Sequence, residues 1–66
     1  MNYQTANIMY EAERAILAMT LPDSQKNALL DYSLSNLFMA RVQRVQEEGL
    51  TMSQAIEAVL IHALEE

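Results

Sequence analysis

The stretch from Leu29 to Glu48, LLDYSLSNLFMARVQRVQEE, decides the fold of this chain of 66 residues. It contains neither Gly nor Pro, and its apolar residues recur at the three- and four-residue spacing of an amphipathic helix. Extended back to Pro22, the stretch predicts one long helix over residues 22–48. At 1.5 Å per residue such a helix is about 40 Å long.

The single Pro and the single Gly of the chain mark the ends of this helix. Pro22 favours the first turn of a helix and disfavours helical conformation in the residue before it, so a first helix is predicted over about residues 3–19. Gly49 is the expected terminator in a left-handed conformation. Thr51 and Gln54 match a capping box, which predicts a last helix over residues 51–65. We therefore predict a single all-α domain over residues 1–66, with three helices and a long central one.

The chain is both short and rich in apolar residues, which make up 52% of it. A short chain buries a smaller fraction of its surface than a larger domain does, and small domains are usually stabilised by disulfides, a metal or a partner. The sequence has no Cys for disulfides and a single His. These observations favour a helical bundle that is completed by homodimerisation.

The apolar residues of the first and the central predicted helix lie on more than one face of each helix. On the central helix we predict that the main stripe serves the fold, namely Leu30, Leu34, Leu37, Phe38, Val42 and Val45. We predict that three groups of residues contact a partner, which is either a second copy or a different target. They are the apolar residues beside this stripe, a second stripe of the first helix and one basic pair. The predicted interface residues are Ile8, Ala12, Leu29, Tyr32, Met39, Arg41 and Arg44.

The charge balance limits the classes of partner. The net charge is −5 and there are four basic residues, whereas nucleic-acid affinity depends mainly on basic residues that meet phosphates. We therefore expect no nucleic acid as a direct ligand. No apolar run approaches the roughly 20 residues of a membrane span, and the N-terminus lacks the features of a signal peptide. The expected location is the cytoplasm, with no membrane partner.

No arrangement of residues in the sequence predicts catalysis. His62 is the one histidine of the chain, and no triad-like pattern surrounds it. The neighbouring acids Glu47 and Glu48 point in different directions on a helix, which is poor geometry for a shared acid–base or metal site. We expect no enzymatic activity, no metal and no cofactor.

These observations predict a small acidic protein-interaction module that acts as a regulator, adaptor or inhibitor of a partner protein. Size and composition are also typical of accessory proteins of phages and mobile elements. A DNA mimic is a further alternative, and it predicts acidic side chains gathered on one face.

The part of the chain from Arg41 to Glu66 resembles the two helices of ribbon-helix-helix repressors. The resemblance rests on Glu47-Glu48-Gly49 at the end of one helix and on Thr51, Ser53 and Ile56 at the start of the next. It implies a DNA-binding transcriptional regulator, which would read DNA with a short basic strand ahead of the first helix. In this sequence that position, residues 31–36, has no basic residue. A strand near residues 32–37 would favour this alternative.

Overall fold

The structure, a computed structural model, describes residues 3–65, and this part of the chain forms four α-helices and no strand. The helices are α1 (Tyr3–Ala18), α2 (Asp23–Ser33), α3 (Asn36–Glu47) and α4 (Met52–Glu65). The prediction of an all-α fold is confirmed. The prediction of three helices is wrong, because the span predicted as one long helix contains α2, a break and α3.

The break consists of Leu34 and Ser35. Leu34 remains near the helical region, with φ −90° and ψ −4°, whereas Ser35 is extended, with φ −85° and ψ 154°. The Ser35 hydroxyl accepts a hydrogen bond from the backbone N–H of Phe38 at 3.2 Å and donates one to the backbone carbonyl of Tyr32 at 2.6 Å. One side chain therefore closes the end of α2 and caps the start of α3.

Ser33 supports the same break from inside the fold. Its hydroxyl donates to the backbone carbonyl of Leu30 at 2.7 Å, and the residue is almost fully buried. Serine side chains compete for backbone hydrogen bonds and so favour caps and turns over helix interiors. The Ser-Leu-Ser sequence thus interrupts a helix without the help of Gly or Pro.

The other helix boundaries follow the sequence signals. Pro22 precedes the first residue of α2, and Gly49 has a φ of +107°, in the region that favours glycine. The capping box is present, because the Gln54 side chain accepts from the N–H of Thr51 and the Thr51 hydroxyl accepts from the N–H of Gln54, each at 3.1 Å. The predictions of the first and last helices are therefore confirmed to within one residue.

The helices pack as two hairpins, α1 with α2 and α3 with α4, and α1 also packs against α4. The Cα radius of gyration is 11.1 Å, which equals the value of about 11 Å for a compact domain of this length. Between them the hairpins enclose an apolar core, which comprises Ile8, Ala12, Ile16, Leu29, Phe38, Val42, Ala55, Ile56, Val59 and Leu60. The described chain thus closes a core by itself, and the homodimer stays a prediction.

The break also corrects the predicted core face of the central segment. Phe38 and Val42 are fully buried as predicted, but Leu34 is 61% exposed and Leu37 is 54% exposed. On a continuous helix Leu34 would share a face with Phe38, four residues later, and Leu37 would continue the stripe of Leu30 and Leu34. Because α3 begins anew after Ser35, Phe38 turns into the core and the two leucines turn outward.

Candidate interaction surface

A groove of about 690 Å³ lies between α1 and α2. We call it the α1–α2 groove. Leu34, at the end of α2, forms part of its wall. The complete set of lining residues is Met9, Tyr10, Glu13, Arg14, Leu30, Ser33 and Leu34.

The α1 wall of the groove has an aromatic ring, a cation and an acid side by side. Tyr10 is 56% exposed, and the guanidinium carbon of Arg14 lies 5.8 Å from the centre of its ring. The two residues are four apart on α1, so they share a face and form a cation–π pair. Glu13 is next to Arg14 in the chain and lines the same groove. The groove therefore combines apolar walls with both signs of charge.

Leu34 and Leu37, which we call the corner leucines, protrude where α2 meets α3. Both are more than half exposed. Single exposed leucines are common on protein surfaces, but apolar side chains beside a groove are typical of interaction sites. Leu34 is both a corner leucine and part of the lining of the α1–α2 groove, so the groove extends to this corner.

On the inner side of the same corner, Tyr32 contacts two residues of α3. Its ring packs edge-on against Phe38, with 5.3 Å between the ring centres and 75° between the ring planes. Its hydroxyl accepts a hydrogen bond from Nη1 of Arg41 at 2.8 Å. Because Tyr32 lies on α2 and the other two residues lie on α3, these contacts set the angle between the helices.

A second, smaller groove of about 220 Å³ separates α3 from α4. Arg41 and Arg44 lie on one side, and Ala58, Val59 and His62 lie on the other. Because Arg41 and Arg44 are three residues apart on α3, they share a face of that helix. His62 is exposed here.

The structure separates the predicted interface residues into two groups. Ile8, Ala12 and Leu29 fill the core of the chain itself and present almost no surface to a partner, so we do not carry them into the interaction surface. The remaining predicted residues lie on α2 and α3 and retain some exposure; they are Tyr32, Met39, Arg41 and Arg44. Their role in an interface stays a prediction.

Sequence reasoning did not assign Tyr10, Leu34 and Leu37 to an interaction surface. For Tyr10 a signal was present, because Glu13 lies on the same face of α1 and an acid mid-stripe marks a face that points to solvent. For the two leucines the signal was the Ser-Leu-Ser sequence, which favours a cap over a helix interior.

Among the residues described, no group of three or more His, Cys, Asp or Glu side chains is placed to hold a metal ion. None of the described helices combines the length and apolar character that crossing a membrane requires. No family model matches the chain, and no curated protein or solved structure is significantly similar to it.

Proposed function

We propose that this protein works by binding proteins: it pairs with a second copy of itself, and the pair regulates, adapts or inhibits a further protein. The observation that carries the proposal is the exposure of the corner leucines beside the α1–α2 groove. Covering exposed leucines removes apolar surface from water at about 25 cal/mol per Å², which is a direct driving force for association. Aromatic residues and arginine, here Tyr10 and Arg14, are the residue types that most often anchor interfaces.

The same surface supports a second copy as its occupant. It offers both an apolar protrusion, the corner leucines, and a recess, the α1–α2 groove, and a two-fold interface requires such self-complementarity. Glu13 and Arg14 lie side by side on the groove wall. Across a two-fold axis Glu13 can therefore pair with Arg14 of the second copy, so the charges at this surface are complementary although each chain is acidic.

The action on a further protein, the cytoplasmic location and the relation to phage or mobile-element proteins rest on size and composition, and they stay predictions. The two nucleic-acid alternatives have less support. In residues 32–37, where a ribbon-helix-helix strand would lie, the chain has the end of α2, the break and the start of α3. The described acids are distributed over all four described helices, whereas a DNA mimic predicts them on one face.

The self-association can be tested by light scattering after size-exclusion chromatography of the protein and its Leu34→Glu variant. Because Leu34 is exposed, the variant should remain folded, with an unchanged helical circular-dichroism spectrum. A glutamate in the apolar interface should raise the dimer dissociation constant at least about 100-fold, since a charge must then be desolvated.

Ile61→Glu is the matched control. Ile61 is 52% exposed on α4 and lines neither groove described above, so this variant should dimerise as the unchanged protein does. A monomeric unchanged protein at hundreds of micromolar would remove the basis of the self-association.

As a test of the further partner, the unchanged protein and the Leu34→Glu and Ile61→Glu variants should be used as baits in extracts of the native host. Capture that is lost with Leu34→Glu and kept with Ile61→Glu supports the proposal.

A further inference from the structure

The break between α2 and α3 separates the chain into two halves that are each a complete helical hairpin. Within one half α1 packs against α2, and within the other α3 packs against α4. The halves join through two residues, Leu34 and Ser35, and neither is Gly or Pro. Two hairpins that share one core and are joined by a short connection are the arrangement from which identical chains can exchange elements.

The difference between a bent and a straight connection is small in conformational terms. Leu34 already has near-helical dihedral angles, and Ser35 alone is extended, with ψ 154°. A rotation of this one ψ to the helical value of about −42° makes α2 and α3 collinear. No residue in the break has a side chain that forbids helical conformation.

The corner leucines supply a reason for two chains to straighten together. On a straight α2–α3 segment, Leu30, Leu34 and Leu37 lie within an arc of about 60°, because successive residues advance by about 100°. Two such segments that cross antiparallel at a two-fold axis bury these stripes against each other. In the bent monomer, by contrast, Leu34 and Leu37 are both more than half exposed.

We infer that two copies of this chain associate by exchanging their α3–α4 hairpins, with α2 and α3 straightened through Leu34 and Ser35. This inference rests on the proposed self-association, but in the exchanged dimer the corner leucines meet each other across the two-fold axis instead of entering the α1–α2 groove of a bent partner. Each α3–α4 hairpin then packs on the α1–α2 hairpin of the other copy, so the contacts of α1 with α4 are made between chains. The Tyr32–Arg41 hydrogen bond within one chain opposes the exchange, because on a straight helix residues nine apart lie on opposite sides, about 13.5 Å apart along the axis. The bent monomer is therefore the form at low concentration.

Cross-linking between α1 and α4 tests the exchange directly. Ala18 and Ser53 are both exposed and line the same groove between these helices, and the chain has no other cysteine to interfere. The Ala18→Cys, Ser53→Cys double variant should be refolded at hundreds of micromolar, diluted, and treated at once with a short bismaleimide. Exchange predicts covalent dimers on a denaturing gel, whereas a bent chain predicts cross-links within one chain. The Ala18→Cys single variant measures random collisions between chains.

Two substitutions at the break should move the result in opposite directions. Asn36 is the first residue of α3 and Ser35 before it is extended, which is the setting that proline prefers. Asn36→Pro is thus compatible with the bent monomer, but it places proline inside the straight helix and should weaken exchange about 100-fold per chain. Ser35→Ala removes the cap that defines the break and should increase the covalent dimer.

The outcomes separate the inference from the proposal on which it rests. Interchain cross-links that Asn36→Pro abolishes and Ser35→Ala increases support the exchange. A dimer by light scattering with cross-links only within chains overturns the exchange and leaves the self-association standing as side-by-side pairing. A monomer at every concentration overturns both. Interchain cross-links that Asn36→Pro leaves unchanged overturn the straightened connection.

Discussion

At the scale of single residues, adjacent side chains at the corner between α2 and α3 point in different directions. Phe38 is fully buried and packs against Tyr32, whereas Leu37, one residue earlier, is mostly exposed. Tyr32 adds a polar contact to this apolar one, because its hydroxyl accepts from the Arg41 guanidinium. An aromatic residue with a polar end suits such a position, where the ring meets the core and the hydroxyl reaches its edge.

Tyr32→Phe should lower the free energy of unfolding by about 1 kcal/mol, because it removes a hydrogen bond to a charged donor at a part-buried site and keeps the ring contact with Phe38. Urea unfolding followed by circular dichroism measures the change. Tyr10→Phe is the control, since it removes the same hydroxyl from a ring that is more than half exposed. A loss in the control as large as in Tyr32→Phe would show that the Arg41 contact contributes nothing specific.

At the scale of elements, side-chain caps set the helix boundaries. Ser35 and Thr51 each accept a hydrogen bond from the backbone N–H three residues later, at the start of α3 and α4 respectively. Thr51 also has Gln54, whose side chain reaches back to the cap residue, and Ser35 has Phe38 at that position. The start of α4 therefore has a complete sequence signature, whereas the start of α3 has half of one.

Thr51→Ala should destabilise the protein by about 1 kcal/mol, because it leaves the N–H of Gln54 without its acceptor at the helix start. Thermal unfolding should show a lower midpoint. Ser53→Ala, two residues further and exposed, should not lower the midpoint, since alanine has the higher helix propensity. If both variants were equally stable, the hydrogen bonds of the capping box would not contribute to the stability of the protein.

At the scale of the whole molecule, a closed core coexists with exposed apolar side chains. The accessible surface is 4542 Å², slightly above the value of about 4,200 Å² for a folded monomer of this mass. The chain is therefore compact alone, and the proposed association would bury the corner leucines in addition to this core. Such a protein should be a folded monomer that dimerises as its concentration rises.

The thermal midpoint should therefore increase with protein concentration. Mass action stabilises the folded dimer over the unfolded monomer, and a 100-fold rise in concentration contributes about 2.7 kcal/mol per dimer. Calorimetry between a few and several hundred micromolar measures the shift, with Leu34→Glu as the variant that should show none. A midpoint independent of concentration in the unchanged protein would contradict the dimer.

The sequence by itself determined the all-α class, the ends of α1 and α4, the turn at Gly49 and the capping box at Thr51. These features depend on contacts within a few residues, so local signals suffice for them. The sequence also placed Phe38 and Val42 in the core, because both lie on the apolar stripe of α3 whether or not the helix continues before them.

Only the tertiary structure decided that residues 22–48 form two helices, and hence which apolar face is exposed. The helical periodicity of Leu29 to Glu48 is the same for a straight and for a bent segment. The choice between them depends on contacts across the corner, such as Tyr32 with Arg41, and on the packing of α1 against α4. Tyr32 and Arg41 are nine residues apart, and α1 and α4 are the first and last described helices, so the helical periodicity of one stretch does not report these contacts. The break at Ser35 therefore turns Leu34 and Leu37 from predicted core residues into the surface on which the proposed function rests.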